Sequence, residues 1–273
     1  MATNLGRPST RAVFFDLAGT LIKVRGGIGA QYSAIARDYG VEADAAAIDV
    51  AFPGAFASAD SRRGTDPQIL ADSRRGADPQ RADSRRFHGV SAEVASLEKG
   101  FWKEVVRLVF AEAGGLGQFR DGQFDRYFDR LFDYFATSAG WTIYPDVVPV
   151  LGDLKRRGFI LGLITNFDHR VFTLVDALEL ACFIDSITIP ALAGAAKPER
   201  AIFGYALARH GLQASEAVQV GDSIRDDVEG ACAAGLRGVL VDRRGRSTHP
   251  AGIPTISSLD HLLSILPLIS GRL

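Results

Sequence analysis

Five short apolar runs, separated by stretches of helical periodicity, constrain this chain more than any other feature. They are RAVFFD (residues 11–16), FILGLITN (159–166), SITIP (186–190), AVQVGD (217–222) and GVLVD (238–242). Continuous apolar character suits strands covered on both faces, as in a parallel sheet. Residues 146–157, 169–180, 199–210 and 226–234 read as helices, with Gly158, Gly211 and Gly235 placed as stops. Strands alternating with helices predict an α/β fold, a Rossmann-like doubly wound parallel sheet. Ligands of such sheets bind at the carboxyl ends of the strands, which is where Asp16, Thr165 and Asp222 fall.

Residues 29–140 break this rhythm. Tyr32, Ile35, Ala36 and Tyr39 recur at i, i+3, i+4 and i+7, and Trp102, Val105, Val106, Val109 and Phe110 make a second face. Phe124, Tyr127, Phe128, Leu131, Phe132 and Phe135 make an aromatic stripe. These predict the seams of a helical bundle inserted after the first strand; lining a substrate pocket is the competing use for the aromatics. The expected division is an α/β core over 11–26 and 141–273 and a helical cap over 27–140. Within the cap, 59–86 repeats ADSRRG-TDPQ, ADSRRG-ADPQ and ADSRR and includes Pro67 and Pro79. That unit is too short and polar to bury a core, so a solvated loop is expected.

Four segments carry the chemistry. FFDLAGTL holds Asp16, Gly19 and Thr20; LITNFD holds Thr165 and Asn166; AAKPE holds Lys197; VGDSIRDD holds Asp222, Asp226 and Asp227. A GD or KP pair alone is common, whereas four such segments in this order at strand ends are specific together. They resemble the signature motifs of the haloacid dehalogenase (HAD) superfamily of hydrolases with a helical cap, over residues 11–242. VRGGIGAQYSAIARDYG, FWKEVVRLVF and IYPDVVPVL further resemble the subgroup related to rhythmically expressed protein 2.

The resemblance implies a magnesium-dependent phosphatase acting on phosphoric monoesters of small metabolites. Asp16 would attack phosphorus and form an aspartyl-phosphate. Mg2+, which prefers oxygen ligands, would be held by Asp16, the backbone carbonyl of Ala18, Asp222 and Asp227. Asp226 would stand behind them or cap the following helix. Lys197 would neutralise the nucleophile and the phosphoryl oxygens, and Thr165 would hold those oxygens. Asn166, Gly19 and Thr20 complete the expected substrate site, Gly19 by allowing a tight turn. Asp168 and His169 flank the second motif and are further candidates for the pocket wall.

One position departs from the pattern. Phosphatases of this superfamily carry a second aspartate two residues after the nucleophile, as general acid and base, and here that residue is Ala18. Such help is typically worth ~10²–10⁴ in rate, or roughly 3–5 kcal/mol of barrier. Its loss handicaps alkyl phosphates most, because aryl and acyl phosphates leave with little protonation. Two alternatives follow: a catalytically impaired phosphate-binding protein, or carbon–phosphorus cleavage like that of phosphonoacetaldehyde hydrolase, which shares an Asp-x-Ala-Gly-Thr motif. The latter needs a cap lysine, and no lysine stands between Lys23 and Lys99.

Formal net charge is -1 and charged residues are 23% of the chain, which points to no nucleic-acid or membrane partner. Residues 1–10 lack the apolar stretch of a leader. Cys182 and Cys232 read as buried thiols of a cytoplasmic protein. Neither the substrate nor the oligomeric state is legible.

Overall fold

The computed structural model describes residues 10–63, 90–245 and 251–269. Its strands are β1 (Ala12–Phe15), β2 (Ile22–Val24), β3 (Trp141–Ile143), β4 (Ile160–Ile164), β5 (Ser186–Thr188), β6 (Ala217–Gly221), β7 (Arg237–Val241) and β8 (Thr255–Ile256). The six-stranded sheet has the order β5-β4-β1-β6-β7-β8 and is parallel throughout. All five runs singled out above are strands in it; β8 adds the edge. Phe15 pairs with Leu163 on one side and Val220 on the other. The chain turns one way from β1 to reach β4 and β5 and the other way to reach β6 and β7. β1 is therefore the switch point of a doubly wound sheet, where a crevice opens beyond the strand ends.

Among the described residues four longer helices lie between β2 and β3: α1 (Ile28–Arg37), α2 (Ala45–Arg63), α3 (Ala92–Glu112) and α4 (Gln123–Tyr134). Ser91 caps α3 by accepting from the Val94 N–H. The predicted seams pack together. Tyr32 stacks on Phe110 (centroids 6.4 Å apart), Phe110 meets Tyr127 edge-on at 5.2 Å, and the Tyr127 hydroxyl donates to the Tyr32 carbonyl. β2 and β3 pair antiparallel, Lys23 opposite Thr142, and form a ribbon where the chain leaves and re-enters the sheet layer. Neither strand was expected, since three-residue segments lie below what a period of two resolves.

Helices α5 (Val147–Arg156), α6 (Arg170–Ala177) and α7 (Arg200–Ala208), then α8 (Gly230–Ala233) and α9 (Leu262–Ile269), cover the sheet. Gly158, Gly211 and Gly235 all adopt positive φ, as helix stops require. Two expectations need correction. Ala59 to Arg63 belong to α2 and Ala59 is buried, so the repeat segment begins inside a helix; residues 64–86 lie outside the described residues. Cys182 and Cys232 are free and exposed, not buried: Cys182 lies in the turn between α6 and β5, outside any helix, and Cys232 in the four-residue helix α8. Among the described residues no helix is long and apolar enough to cross a membrane.

A buried ionic cluster ties the inserted helices to the sheet layer. Arg170 grips both oxygens of Asp168 (2.8 and 2.5 Å) and donates to the Phe132 carbonyl on α4, while its guanidinium lies 3.6 Å from the Phe132 ring centroid. Glu98 on α3 accepts from the His169 backbone N–H (3.0 Å) and lies 2.5 Å from His169 Nδ1. Burial pushes the Asp168 carboxyl up, but its hydrogen bonds and ion pair with Arg170 outweigh that and hold it below the ordinary range. Arg170→Met strands Asp168 and is expected to cost about 3–5 kcal/mol in urea unfolding at neutral pH. A depressed carboxyl gives its stability above the unfolded-state value and loses it as pH falls. The gap between wild type and variant should therefore narrow below about pH 4.

Candidate active site

Because β4 and β6 flank β1, their following residues meet. Asp16 follows β1, Thr165 follows β4, Asp222 follows β6, and Lys197 enters from the segment before α7. Lys197 Nζ donates to Asp16 Oδ1 and to Asp227 Oδ1, each at 2.7 Å, with only 5% of the lysine exposed. Burial works against the ammonium, yet the charges and hydrogen bonds of Asp16 and Asp227 raise it above the ordinary lysine range. Burial, reinforced by the Asp227 charge, raises the Asp16 carboxyl, although Lys197 and a hydrogen bond from Thr165 pull the other way. Ligand oxygens of Asp16, Asp222 and Asp227 lie within 4.8 Å of one another. Three carboxylates around one ammonium leave a negative excess that suits a hard divalent cation.

The backbone is shaped to allow this crowding. Gly19 has φ 95°, and a Cβ there would stand 2.4 Å from Asp222 Oδ2. Gly221, the last residue of β6, faces Asp227, whose Cγ a Cβ would meet at 2.0 Å. Asp227 also accepts from Gln219 Nε2 (2.9 Å) and the Ser223 backbone N–H (3.2 Å). Ser223, rather than Asp226, caps the following turn, accepting from the Asp226 N–H. Asp226 is half-buried on the cavity wall. Ala18 is exposed at that wall, its methyl group occupying no packed site.

Four residues expected at or near the site take other roles. Asn166 spends its side-chain amide on Lys197: it accepts from the Lys197 N–H at 2.8 Å and donates to the Lys197 carbonyl at 3.0 Å. It positions the lysine, although its chain segment borders the cavity. Thr20 is fully buried and does not line the cavity; its carbonyl accepts from Arg243 Nε and Nη2 (2.9 and 2.7 Å). Asp168 and His169 stay behind the wall, held by Arg170 and Glu98. Sequence reasoning missed Gln219 and Arg243. Gln219 carried a signal, a polar residue inside an apolar strand; Arg243, in a polar stretch, carried none.

The cavity above these residues measures about 1000 Å³ and is closed in by α1–α4 and the ribbon. From the stripe on α4 it takes Phe128, Leu131 and Phe132, so those side chains serve packing and lining together.

A family model described as a haloacid dehalogenase-like hydrolase matches residues 10–235. The chain is 27% identical over 272 residues to the mouse haloacid dehalogenase-like hydrolase domain-containing protein 3, covering 97% of each. A phosphoserine phosphatase from Thermus thermophilus is 33% identical over 158 residues, 57% of this chain and 60% of that one. The solved structure of a dehalogenase superposes with a TM-score of 0.65 at 21% identity, covering 94% of this chain and 97% of that one.

Two glycine substitutions should move stability in opposite directions. Gly204 lies inside α7 with nothing within 4 Å of a built Cβ, so Gly204→Ala should stabilise by about 0.5–1 kcal/mol. Gly221→Ala drives a methyl into Asp227 and should destabilise by about 1–3 kcal/mol. Paired thermal melts of the two variants read the contrast.

Proposed function

The chain belongs to the haloacid dehalogenase-like hydrolase family, and we propose that it is a magnesium-dependent phosphatase of a small phosphorylated molecule. The carrying observation is the buried Lys197 bridge between Asp16 and Asp227, with Asp222 alongside. In this reading Asp16, Asp222, Asp227 and the Ala18 carbonyl would hold Mg2+, which would supply positive charge to the site. The Asp16 carboxylate attacks phosphorus, the bond to the leaving oxygen breaks, and water later returns the phosphoryl group to solution. Lys197 favours the ionised form of Asp16, against the effect of its burial, and offsets the repulsion between carboxylate and phosphate dianion. Thr165 holds a phosphoryl oxygen. Asn166 fixes Lys197 from behind, and Gln219 fixes Asp227.

Displacement at a carbon–halogen bond needs no such cluster of acids, which favours phosphoryl transfer over the chemistry of the dehalogenase whose fold is shared. Carbon–phosphorus cleavage by a Schiff base finds little support in α3: Lys99 pairs with Asp129 and Lys103 with Asp125, and neither lines the cavity. Two free, exposed thiols fit a reducing compartment such as the cytoplasm.

Phosphate release from p-nitrophenyl phosphate is expected to require Mg2+ and to fall by roughly three orders of magnitude or more in Asp16→Asn. Equal turnover by that variant would remove Asp16 from the mechanism. Ala18 is exposed to the cavity, so Ala18→Asp costs no packing. It should raise turnover of alkyl phosphates by about 10²-fold.

A further inference from the structure

We infer, resting on the phosphatase reading, that the substrate is an aryl phosphate: a monoester whose leaving group is a phenol, its ring held among the aromatic side chains of the inserted helices. Two independent observations converge on this class. One is the lining of the cavity, the other the side chain at position 18.

The cavity joins two unlike halves. The strand ends contribute Asp16, Lys197, Asp222 and Asp227, whereas the inserted helices contribute Phe52, Phe56, Trp102, Phe128 and Phe132. Phe52, Phe56 and Trp102 are only partly buried, so apolar ring surface faces the open space. Among the described residues Asp49 is the one charged side chain those helices supply to the lining, and its Oδ1 already accepts from the Gly29 N–H at 2.7 Å. Arg170, a buried cation of the lining, is committed to Asp168 and the Phe132 carbonyl. Polar partners for a sugar or amino-acid tail stand on the ribbon and sheet side, where Lys23, Arg243 and Arg244 join the lining, whereas the helix side would leave such a tail's polar groups unpaired. A volume of about 1000 Å³ is also far more than a phosphate and a short alkyl chain fill. Aromatic rings fit such walls through edge and offset contacts.

Position 18 sets the same requirement from the chemical side. With alanine there, the leaving oxygen departs without a proton from that residue. A phenol has a pKa of about 10, so its anion is a competent leaving group, whereas an alkoxide is far more basic. In the first step Asp16 bonds to phosphorus and the phosphorus–oxygen bond to the ring breaks, its electron pair staying on the phenolate oxygen, which then takes a proton from water. In the second, water attacks phosphorus, the Asp16–phosphorus bond breaks with its electrons returning to the carboxylate, and the water proton passes to solvent. The products are the phenol and inorganic phosphate.

The test separates ring recognition from leaving-group strength. Both tryptophans of the chain, Trp102 and Trp141, line the cavity, so its filling is readable by intrinsic fluorescence. Phenylphosphonate and propylphosphonate, neither of which is cleaved by attack of this kind, share a head group and differ in the ring. The unaltered protein with Mg2+ should bind phenylphosphonate about tenfold or more tightly and lose tryptophan emission as it does. In turnover, kcat/KM for phenyl phosphate should exceed that for propyl phosphate and also that for acetyl phosphate, which has a good leaving group and no ring. Trp102→Ala should narrow the phenyl-to-acetyl ratio by about tenfold; if that variant does not fold, Trp102→Leu and the phosphonate titration read the same point. Equal phosphonate affinities, or acetyl phosphate outrunning phenyl phosphate, would overturn this inference and leave the phosphatase standing. Absence of phosphate release from all three compounds would overturn the phosphatase reading, and this one with it.

Discussion

The ammonium of Lys197 is the contact on which the site depends. It lies 2.7 Å from a carboxylate that follows β1 and 2.7 Å from one beyond β6, so it joins segments that are far apart in sequence. A buried ion pair adds little to stability once desolvation is counted, so what this bridge provides is position. Its own position is imposed by Asn166, which grips both polar groups of the Lys197 backbone, and by Gln219, which shares Asp227 Oδ1 with the lysine. Remove the ammonium and Asp16, Asp222 and Asp227 face one another unbalanced. The doubly wound order of the sheet matters because it sets β4 and β6 on either side of β1, and without that adjacency these side chains do not meet.

The inserted helices solve a different problem with the same residues. An amphipathic stripe buries one face against its neighbours, and on α4 Tyr127 and Phe128 do this almost completely. The stripe is wider than the seam, and its far side, with Phe132 and Leu131, turns to the cavity. Arg170 lies under Phe132 and hydrogen-bonds to its carbonyl, so the floor of the apolar lining is pinned to the layer that carries Asp16, Lys197 and Asp227. The apolar wall of the cavity is thereby set by the ion pair of Arg170, itself a lining residue, with Asp168.

The sheet was legible because buried parallel strands leave continuous apolar runs, a local signal, and because Gly158, Gly211 and Gly235 mark helix ends by backbone conformation alone. The residues that meet at the strand ends were legible for the same reason: each stands directly after a run. What escaped depends on partners remote in sequence. Asn166 was read as a substrate contact, yet its amide serves a backbone 31 residues away. Arg243 braces the loop after β1 through a carbonyl 223 residues distant. Asp168 and His169 look like site residues in sequence and are drawn behind the wall by Arg170 and by Glu98, which is 71 residues upstream of His169. The division of the stripe between packing and lining is likewise a three-dimensional property, since both uses want the same residue types at the same spacing.

The alanine at position 18 fits a working site better than a retired one. Asp16, Lys197 and Asp227 are all buried, and buried charge is costly unless its pairing is complete. Each member here has its own support: Thr165 on Asp16, Asn166 on Lys197, Gln219 and Ser223 on Asp227. Gly19 and Gly221 stay without a Cβ where one would collide with Asp222 and Asp227. A protein that only bound phosphate would be served as well by a few exposed cations, and hydrophobic replacement of the buried acids would make it more stable. Under the phosphatase reading proposed above, a methyl at position 18 would act as a filter. The groups proposed to attack phosphorus and balance charge are in place, and departure of the leaving group would be left to the substrate's own acidity.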